Sequence, residues 1–181
     1  DKPFIEVFFQ TYFYVRKGRN TRMLKKLKRQ DFDKVFELLE NSFPADEYRT
    51  YEEQKALLDN ELYSIYALYD GEKLKAFISV WEFEKFAYVE HFAVSPEYRN
   101  SGLGAKMLNE LITRSQKSIC LEVEPPENET ARRRINFYLR NGFYLNDYPY
   151  IQPPMSKGKN AVPLLIMTSG GKAARAVFDM M

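Results

Sequence analysis

The chain has 181 residues, 45% of them hydrophobic and 15% aromatic, with 27 basic and 25 acidic side chains for a net charge of +2. That size suits one domain with a substantial core, and the near-neutral charge removes the case for a basic nucleic-acid-binding domain. One histidine and one cysteine leave too few soft ligands for a metal site, and no apolar run approaches the length that crosses a bilayer. Cys120 cannot close an internal disulfide, so a chain of the reducing cytoplasm is expected, with neither nucleic acid nor membrane as partner and a homodimer left open.

The first 22 residues differ from the rest. Phe4 to Val15 is dense in aromatic and β-branched residues, and the basic tract Arg16 to Arg22 follows. Glu6 and Gln10 interrupt the apolar stretch and no small-residue cleavage site comes after it, which argues against a signal peptide. The expected organisation is an extension of uncertain origin over 1–22, one domain over 23–169 that opens with a strand at Met23-Leu24-Lys25-Lys26-Leu27, and a tail over 170–181.

Asp31 to Glu40 predicts a helix, with apolar residues at 32, 35, 36, 38 and 39 and Asp31 as its cap. A second helix starts at the capping-box pattern Thr50-Tyr51-Glu52-Glu53 and runs to about Asn60. Tyr63 to Tyr69 and Leu74 to Phe83 flank the hairpin signal Asp70-Gly71, and Phe86 to Val94 completes an antiparallel meander. A helix from Leu103 to about Gln116 leads to the strand Ser118 to Glu124, which a helical crossover makes parallel to its predecessor. Cys120 reads as a small core residue of that strand. Asn128 or Thr130 can start the helix Ala131 to Arg140, and Gly142 ends it. Phe143 to Tyr150 and Val162 to Thr168 are the last two strands. No repeat appears, and an α+β domain is the economical reading.

The stretch with chemical content is Tyr88 to Leu108. A buried strand stops at Ser95-Pro96, and Arg99-Asn100-Ser101-Gly102-Leu103-Gly104 leads directly into a helix. The first turn of a helix leaves backbone N–H groups without partners and carries partial positive charge, the glycines let a phosphate approach, and Arg99 adds a full charge. The turn therefore suits a pyrophosphate.

Arg99-x-x-Gly102-x-Gly104 after an apolar strand resembles the acyl-CoA signature of the GCN5-related N-acetyltransferase (GNAT) family. Phe137-Tyr138-Leu139-Arg140-Asn141-Gly142-Phe143 resembles that family's Tyr-x-x-x-Gly-Phe element, and the resemblance spans roughly Leu24 to Met167. It implies a mixed, mostly antiparallel twisted sheet flanked by about four helices. It also implies an N-acetyltransferase that moves acetyl from acetyl-CoA, as co-substrate, to a primary amine by direct attack in a ternary complex. Residues Phe92, Ala93 and Val94 would bond the pantetheine arm, Arg99, Asn100, Ser101, Gly102, Leu103, Gly104 and Ala105 would hold the pyrophosphate, and Asn136 could reach the same cofactor. Tyr138 falls at the position whose hydroxyl protonates the leaving sulfur.

Glu90 is the candidate base, because a carboxylate near Phe92 and Phe83 is expected to have a raised pKa. Its neighbour His91 is expected on the opposite face of the strand, as a structural histidine or as the alternative base, and the resemblance also leaves open that no residue acts as base. Arg132-Arg133-Arg134 departs from the small residues of many relatives and reads as a solvated face or a contact to phosphate. The acceptor, a small-molecule or peptide amine, is not fixed by the sequence. Phe43, Glu47 and Tyr48 are candidates for one wall of its site, and Tyr48, Trp81, Tyr148, Tyr150 and Gln152 for an aromatic cleft. Two rival readings remain: a non-catalytic acyl-CoA-binding or regulatory module, and an interaction protein using its aromatic N-terminal segment.

Overall fold

The structure, a computed structural model, describes residues 23–172; the expected N-terminal extension and most of the expected tail lie outside the described residues. Its strands are β1 (Lys25–Lys26), β2 (Tyr63–Asp70), β3 (Lys73–Glu82), β4 (Phe86–Val94), β5 (Ser118–Val123), β6 (Phe143–Leu145), β7 (Tyr150–Gln152) and β8 (Val162–Ser169). Its α-helices are α1 (Phe32–Glu40), α2 (Tyr51–Ala56), α3 (Leu103–Ser115) and α4 (Glu129–Arg140). The sheet order is β1-β2-β3-β4-β5-β8-β6, with β7 pairing farther along β8. Only the β4–β5 pair is parallel among these pairings, as a crossover through α3 requires. The mixed, mostly antiparallel sheet with four flanking helices is the architecture expected.

The period-two alternation of β3 divides the core into two layers. Ala76, Ile78 and Val80 pack with Met107, Leu108 and Leu111 of α3 and Ile135 and Tyr138 of α4. Phe77 points the other way, joining Phe32, Val35, Phe36 and Leu39 of α1 with Tyr63 and Ile65 of β2. Thr50 makes the expected capping box with Glu53 at the start of α2, which tightens into a 3-10 turn over Leu57–Asp59. Asn128 caps α4, its side chain accepting from the Ala131 amide at 2.8 Å.

Two expectations need correction. Asp31 precedes α1 but makes no side-chain cap hydrogen bond. The strand expected over 143–150 is two short strands, because the buried Asn146 turns the chain into β8. Its amide and side-chain Nδ2 both donate to the Ile166 carbonyl, at 2.9 and 3.0 Å, and Nδ2 also reaches Thr168 Oγ1 at 3.1 Å.

Candidate active site at the parting of two strands

Strands β4 and β5 pair only across Phe86–Val89 and Ser118–Leu121. Beyond that point β4 follows β3 as far as Val94, while β5 follows β8 through Val123. The two strands part, and the backbone of Glu90 to Val94 is left without ladder partners on its β5 side. Buried amides and carbonyls need partners, so this opening is a place for a hydrogen-bonding ligand arm.

A β-bulge sits at the parting point. Ser79 pairs with His91 and Val80 with Val89, so Glu90 is an extra residue opposite β3. The bulge shifts the phase of the strand. Ala87 and Val89 face the α3/α4 core before it, and Phe92 and Val94 face that core after it. Glu90 and His91 consequently share the α1/α2 side, which overturns the expectation of opposite faces. His91 Nε2 donates to the Glu47 carbonyl at 2.8 Å, and its amide donates to Ser79 Oγ at 3.0 Å. Burial holds the imidazole pKa below its ordinary value, against the raising influence of Glu90. The ring is a buried, hydrogen-bonded structural histidine, and its Nδ1 lies 3.6 Å from Glu90 Oε2.

The expected raised pKa of Glu90 is also overturned. Burial pushes the carboxyl upward, but His91, the Arg49 guanidinium and the Trp81 indole more than offset it, and the pKa lies below the ordinary carboxylate value. Arg49 donates to Glu90 Oε1 at 2.7 Å and Trp81 Nε1 to the same oxygen at 3.1 Å. Gln54 Nε2 lies 3.4 Å from Oε2. Glu90 is an anchored anion.

On the α3/α4 side a cleft of roughly 630 Å³ runs between the glycine turn and α4. Phe92, Val94, Arg99, Asn100, Gly102, Leu103, Gly104 and Ala105 line it, together with Arg134, Phe137, Tyr138, Arg140 and Asn141. Gly102 caps α3 with φ +75 and Asn100 has φ +60, both in the left-handed region that turns backbone N–H groups toward a common concavity. A Cβ on Gly104 would lie 3.4 Å from Phe137, 3.5 Å from Phe92 and 3.6 Å from Val94, filling the floor of the cleft. Arg99 Nε donates to the Val94 carbonyl at 3.0 Å, fixing its guanidinium beside the turn. A helix start without an acidic residue, an open glycine floor and three arginines fit the diphosphate and pantetheine of a coenzyme A thioester.

The expected cofactor residues are not all placed alike. Ala93 turns its side chain to the α1 core, so only its backbone borders the opening. Ser101 donates to the Tyr98 carbonyl at 2.6 Å, within the turn. Asn136 is exposed and does not line the cleft, because α4 buries Ala131, Ile135 and Tyr138 instead. Of the three arginines 132–134, Arg134 enters the cleft and pairs with Glu124, whereas Arg132 bonds the Pro126 carbonyl.

Phe92, Arg134 and Tyr138 also line a small inner chamber of roughly 40 Å³ at the parting of the strands. Tyr138 is 7% exposed, and burial pushes its phenol up to about 12 despite nearby Arg134, so it carries its proton at neutral pH. Across the chamber stand Phe43, Glu47, Glu122 and Glu124. Burial and the Glu124 charge raise Glu47 to about 7. Burial also raises Glu122, although Tyr150, Tyr88 and Gln152 donate hydrogen bonds to it. The Gln152 contact, Nε2 to Oε2, is 2.6 Å.

Glu90, Glu122 and Gln152 border both the chamber and a second cleft of roughly 270 Å³. Trp81, Phe83, Phe86, Tyr88, Tyr150, Pro153 and Met155 form its apolar walls, with Arg49 at its edge. Trp81 and Phe83 are stacked at 6.3 Å and 8°, and Phe83 meets Phe86 at 4.8 Å. Trp81, Tyr150 and Gln152 are thus brought together as the sequence led us to expect. Tyr148 does not line this cleft, and Tyr48 packs edge-on to Phe36 at 6.0 Å instead. Phe43 and Glu47 border the chamber and not the aromatic cleft.

Sequence reasoning missed Arg49 and Glu122 as site residues, and left Arg134 between a solvated face and a contact to phosphate. Glu122 had a visible signal, a single carboxylate inside the apolar run Ile119-Cys120-Leu121-Glu122-Val123. Arg49, next to a helix cap, had none.

Residues 22–143 match the sequence pattern of the Acetyltransferase (GNAT) family. A solved GNAT-family protein from Bacteroides thetaiotaomicron is 36% identical, with a TM-score of 0.78 over 87% of this chain and 92% of that one. The acetyltransferase-family protein YjbC of Bacillus subtilis (strain 168) is 33% identical over 110 residues, 60% of this chain, and the chain spans 55% of its length. A spermidine N-acetyltransferase of Vibrio cholerae shares the fold, at 17% identity and a TM-score of 0.60 over 81% of this chain and 93% of that one.

Proposed function

The chain belongs to the GNAT acetyltransferase family, and on that footing we propose that it transfers acetyl from acetyl-CoA to a primary amine within a ternary complex. The observation that carries this reading is the set of walls that three cavities share. Phe92, Arg134 and Tyr138 line both the glycine-turn cleft and the inner chamber, and Glu90, Glu122 and Gln152 line both the chamber and the aromatic cleft. Two ligands entering from opposite sides would meet where β4 and β5 part.

Bound acetyl-CoA supplies the acetyl group as a thioester, whose carbonyl carbon gains a bond to the amine nitrogen and loses its bond to sulfur. The chain's residues handle the protons. Glu122, with its raised pKa, takes the first proton from the arriving ammonium so that a neutral nitrogen attacks. Tyr138 gives its phenolic proton to the departing thiolate and recovers one from the nitrogen as the amide forms. Glu90 is too well stabilised as an anion to serve as that base, and it orients Arg49 and Trp81 instead. The left-handed turn at Asn100 and Gly102 holds phosphate oxygens through backbone N–H groups, with Arg99, Arg134 and Arg140 supplying charge.

The test is calorimetric titration with acetyl-CoA, followed by measurement of free thiol release in the presence of amines. Binding that Gly102→Glu abolishes, together with amine-dependent thiol release, is the expected result. An unaltered chain that does not bind acetyl-CoA would sink the proposal.

A further inference from the structure

We propose that the amine taken by the aromatic cleft is a monoamine with an apolar aryl or alkyl body, such as an arylethylamine or a straight alkylamine, and not a polyamine or a peptide. The inference deepens the acetyltransferase reading and rests on it for the reaction, though the binding it describes needs no cofactor. Its first support is a cluster of acceptors at the inner end of the cleft. Gln152 is 5% exposed, and its Oε1 is buried with no hydrogen-bond partner. Its Nε2 is spent on Glu122, whose carboxylate already accepts from Tyr88 and Tyr150. Gln152 Oε1 is closed off from the cleft, so the acceptor presented at this end is the partly buried Glu122 carboxylate. Glu90 and Glu122 both border this end of the cleft, so a donor arriving there does best as a cation. An ammonium group offers three N–H donors and one positive charge, which matches the Glu122 carboxylate with the Glu90 charge nearby.

The second support is the rest of the cleft. Beyond the acceptors the walls are the Trp81 and Phe83 pair, Phe86, Pro153 and Met155. A polyamine would have to leave its distal ammonium among these apolar groups, unpaired and partly desolvated, which is strongly unfavourable. A peptide would bring amides that the same walls cannot satisfy. An aryl or alkyl body instead exchanges water for apolar contact, and the ring faces also favour the adjacent cation. Arg49 is committed to Glu90 at 2.7 Å, so a carboxylate on the acceptor gains no free guanidinium.

Trp81 is the single tryptophan of the chain and stands in this cleft, so its emission reports occupancy directly. Phenethylamine, hexylamine, phenethyl alcohol, spermidine and diglycine are titrated against Trp81 emission without cofactor, and acetyl-CoA binding is measured separately by calorimetry. We expect phenethylamine and hexylamine to bind at least tenfold tighter than spermidine and diglycine, and phenethyl alcohol to lose at least tenfold. Phe86→Lys should weaken phenethylamine by tenfold or more while acetyl-CoA still binds, which shows that the variant is folded. Tighter binding of spermidine or diglycine, equal binding of the alcohol, or no response to any amine would overturn the inference. Phenethylamine binding in a chain that fails to bind acetyl-CoA would support the inference while defeating the transferase reading.

Discussion

Arg49 Nη1 lies 2.7 Å from Glu90 Oε1, and the two side chains are only 22% and 3% exposed. A pair so far from water is stable only while both members are present, because a lone buried charge keeps its desolvation cost without compensation. Arg49→Met should therefore lower unfolding free energy by about 3 kcal/mol in urea titration, and Arg49→Met with Glu90→Gln should recover most of that loss. A double variant as unstable as the single one would show that the pair is not the reason.

Tyr138→Phe keeps the ring that packs edge-on against Phe137 at 5.2 Å and Phe143 at 5.6 Å. Acetyl-CoA affinity should be unchanged and turnover should fall by about 10²- to 10⁴-fold, as read by thiol release. Unaltered turnover would favour a different proton donor or a module without catalysis.

Glu122→Gln and Glu90→Gln should separate the two carboxylates. The first should reduce kcat/KM by about 10²-fold or more and remove the acidic limb of its pH profile. The second should keep that limb and show its main effect in stability, since Glu90 holds Arg49, Trp81 and Gln54.

Glu47 links the chamber to pH. Its pKa is raised from 4.5 to about 7 by burial and by the Glu124 charge. Below about pH 4.5 both folded and unfolded chains hold the proton; as pH rises toward 7 the unfolded chain releases it first, and the folded state loses stability across that window. Allowing for partial solvent access, the loss should be about 1–2 kcal/mol. Glu47→Gln should flatten the dependence of thermal midpoint on pH between 5 and 8.

The two glycines of the turn should fail differently. Gly102 has φ +75 and open space where a Cβ would go, so Gly102→Ala should cost about 1–2 kcal/mol of stability from backbone strain. Gly104→Val should leave the fold largely intact and remove acetyl-CoA binding, because its side chain would occupy the cleft floor beside Phe92 and Phe137. Calorimetry and thermal unfolding on both variants decide between strain and blockage.

Much of this architecture is local and therefore legible. Asp70-Gly71 forms its hairpin, Thr50 and Glu53 their capping box, and the glycine turn its helix start, because each depends on residues within a few positions. The outward position of Asn136 was also within reach: burial of 131, 135 and 138 fixes the phase of α4. What stayed hidden depends on distant partners. The charge state of Glu90 is set by Arg49, 41 residues earlier, and the break after Leu145 by Ile166 and Thr168. The bulge is a property of two strands in register, and the alternation of β4 alone does not contain it.

That bulge makes one row of residues serve two opposed customers of the same sheet. Phe86, Tyr88 and Glu90 occupy even positions and border the aromatic cleft, whereas Phe92 and Val94, also even, border the glycine-turn cleft. Deleting the single residue at 90 would restore an unbroken pleat and leave its neighbours on the faces they already have, since Val89 already pairs with Val80 and His91 with Ser79. Loss of that one residue would thus remove the carboxylate that stands between the two clefts without turning the walls of either.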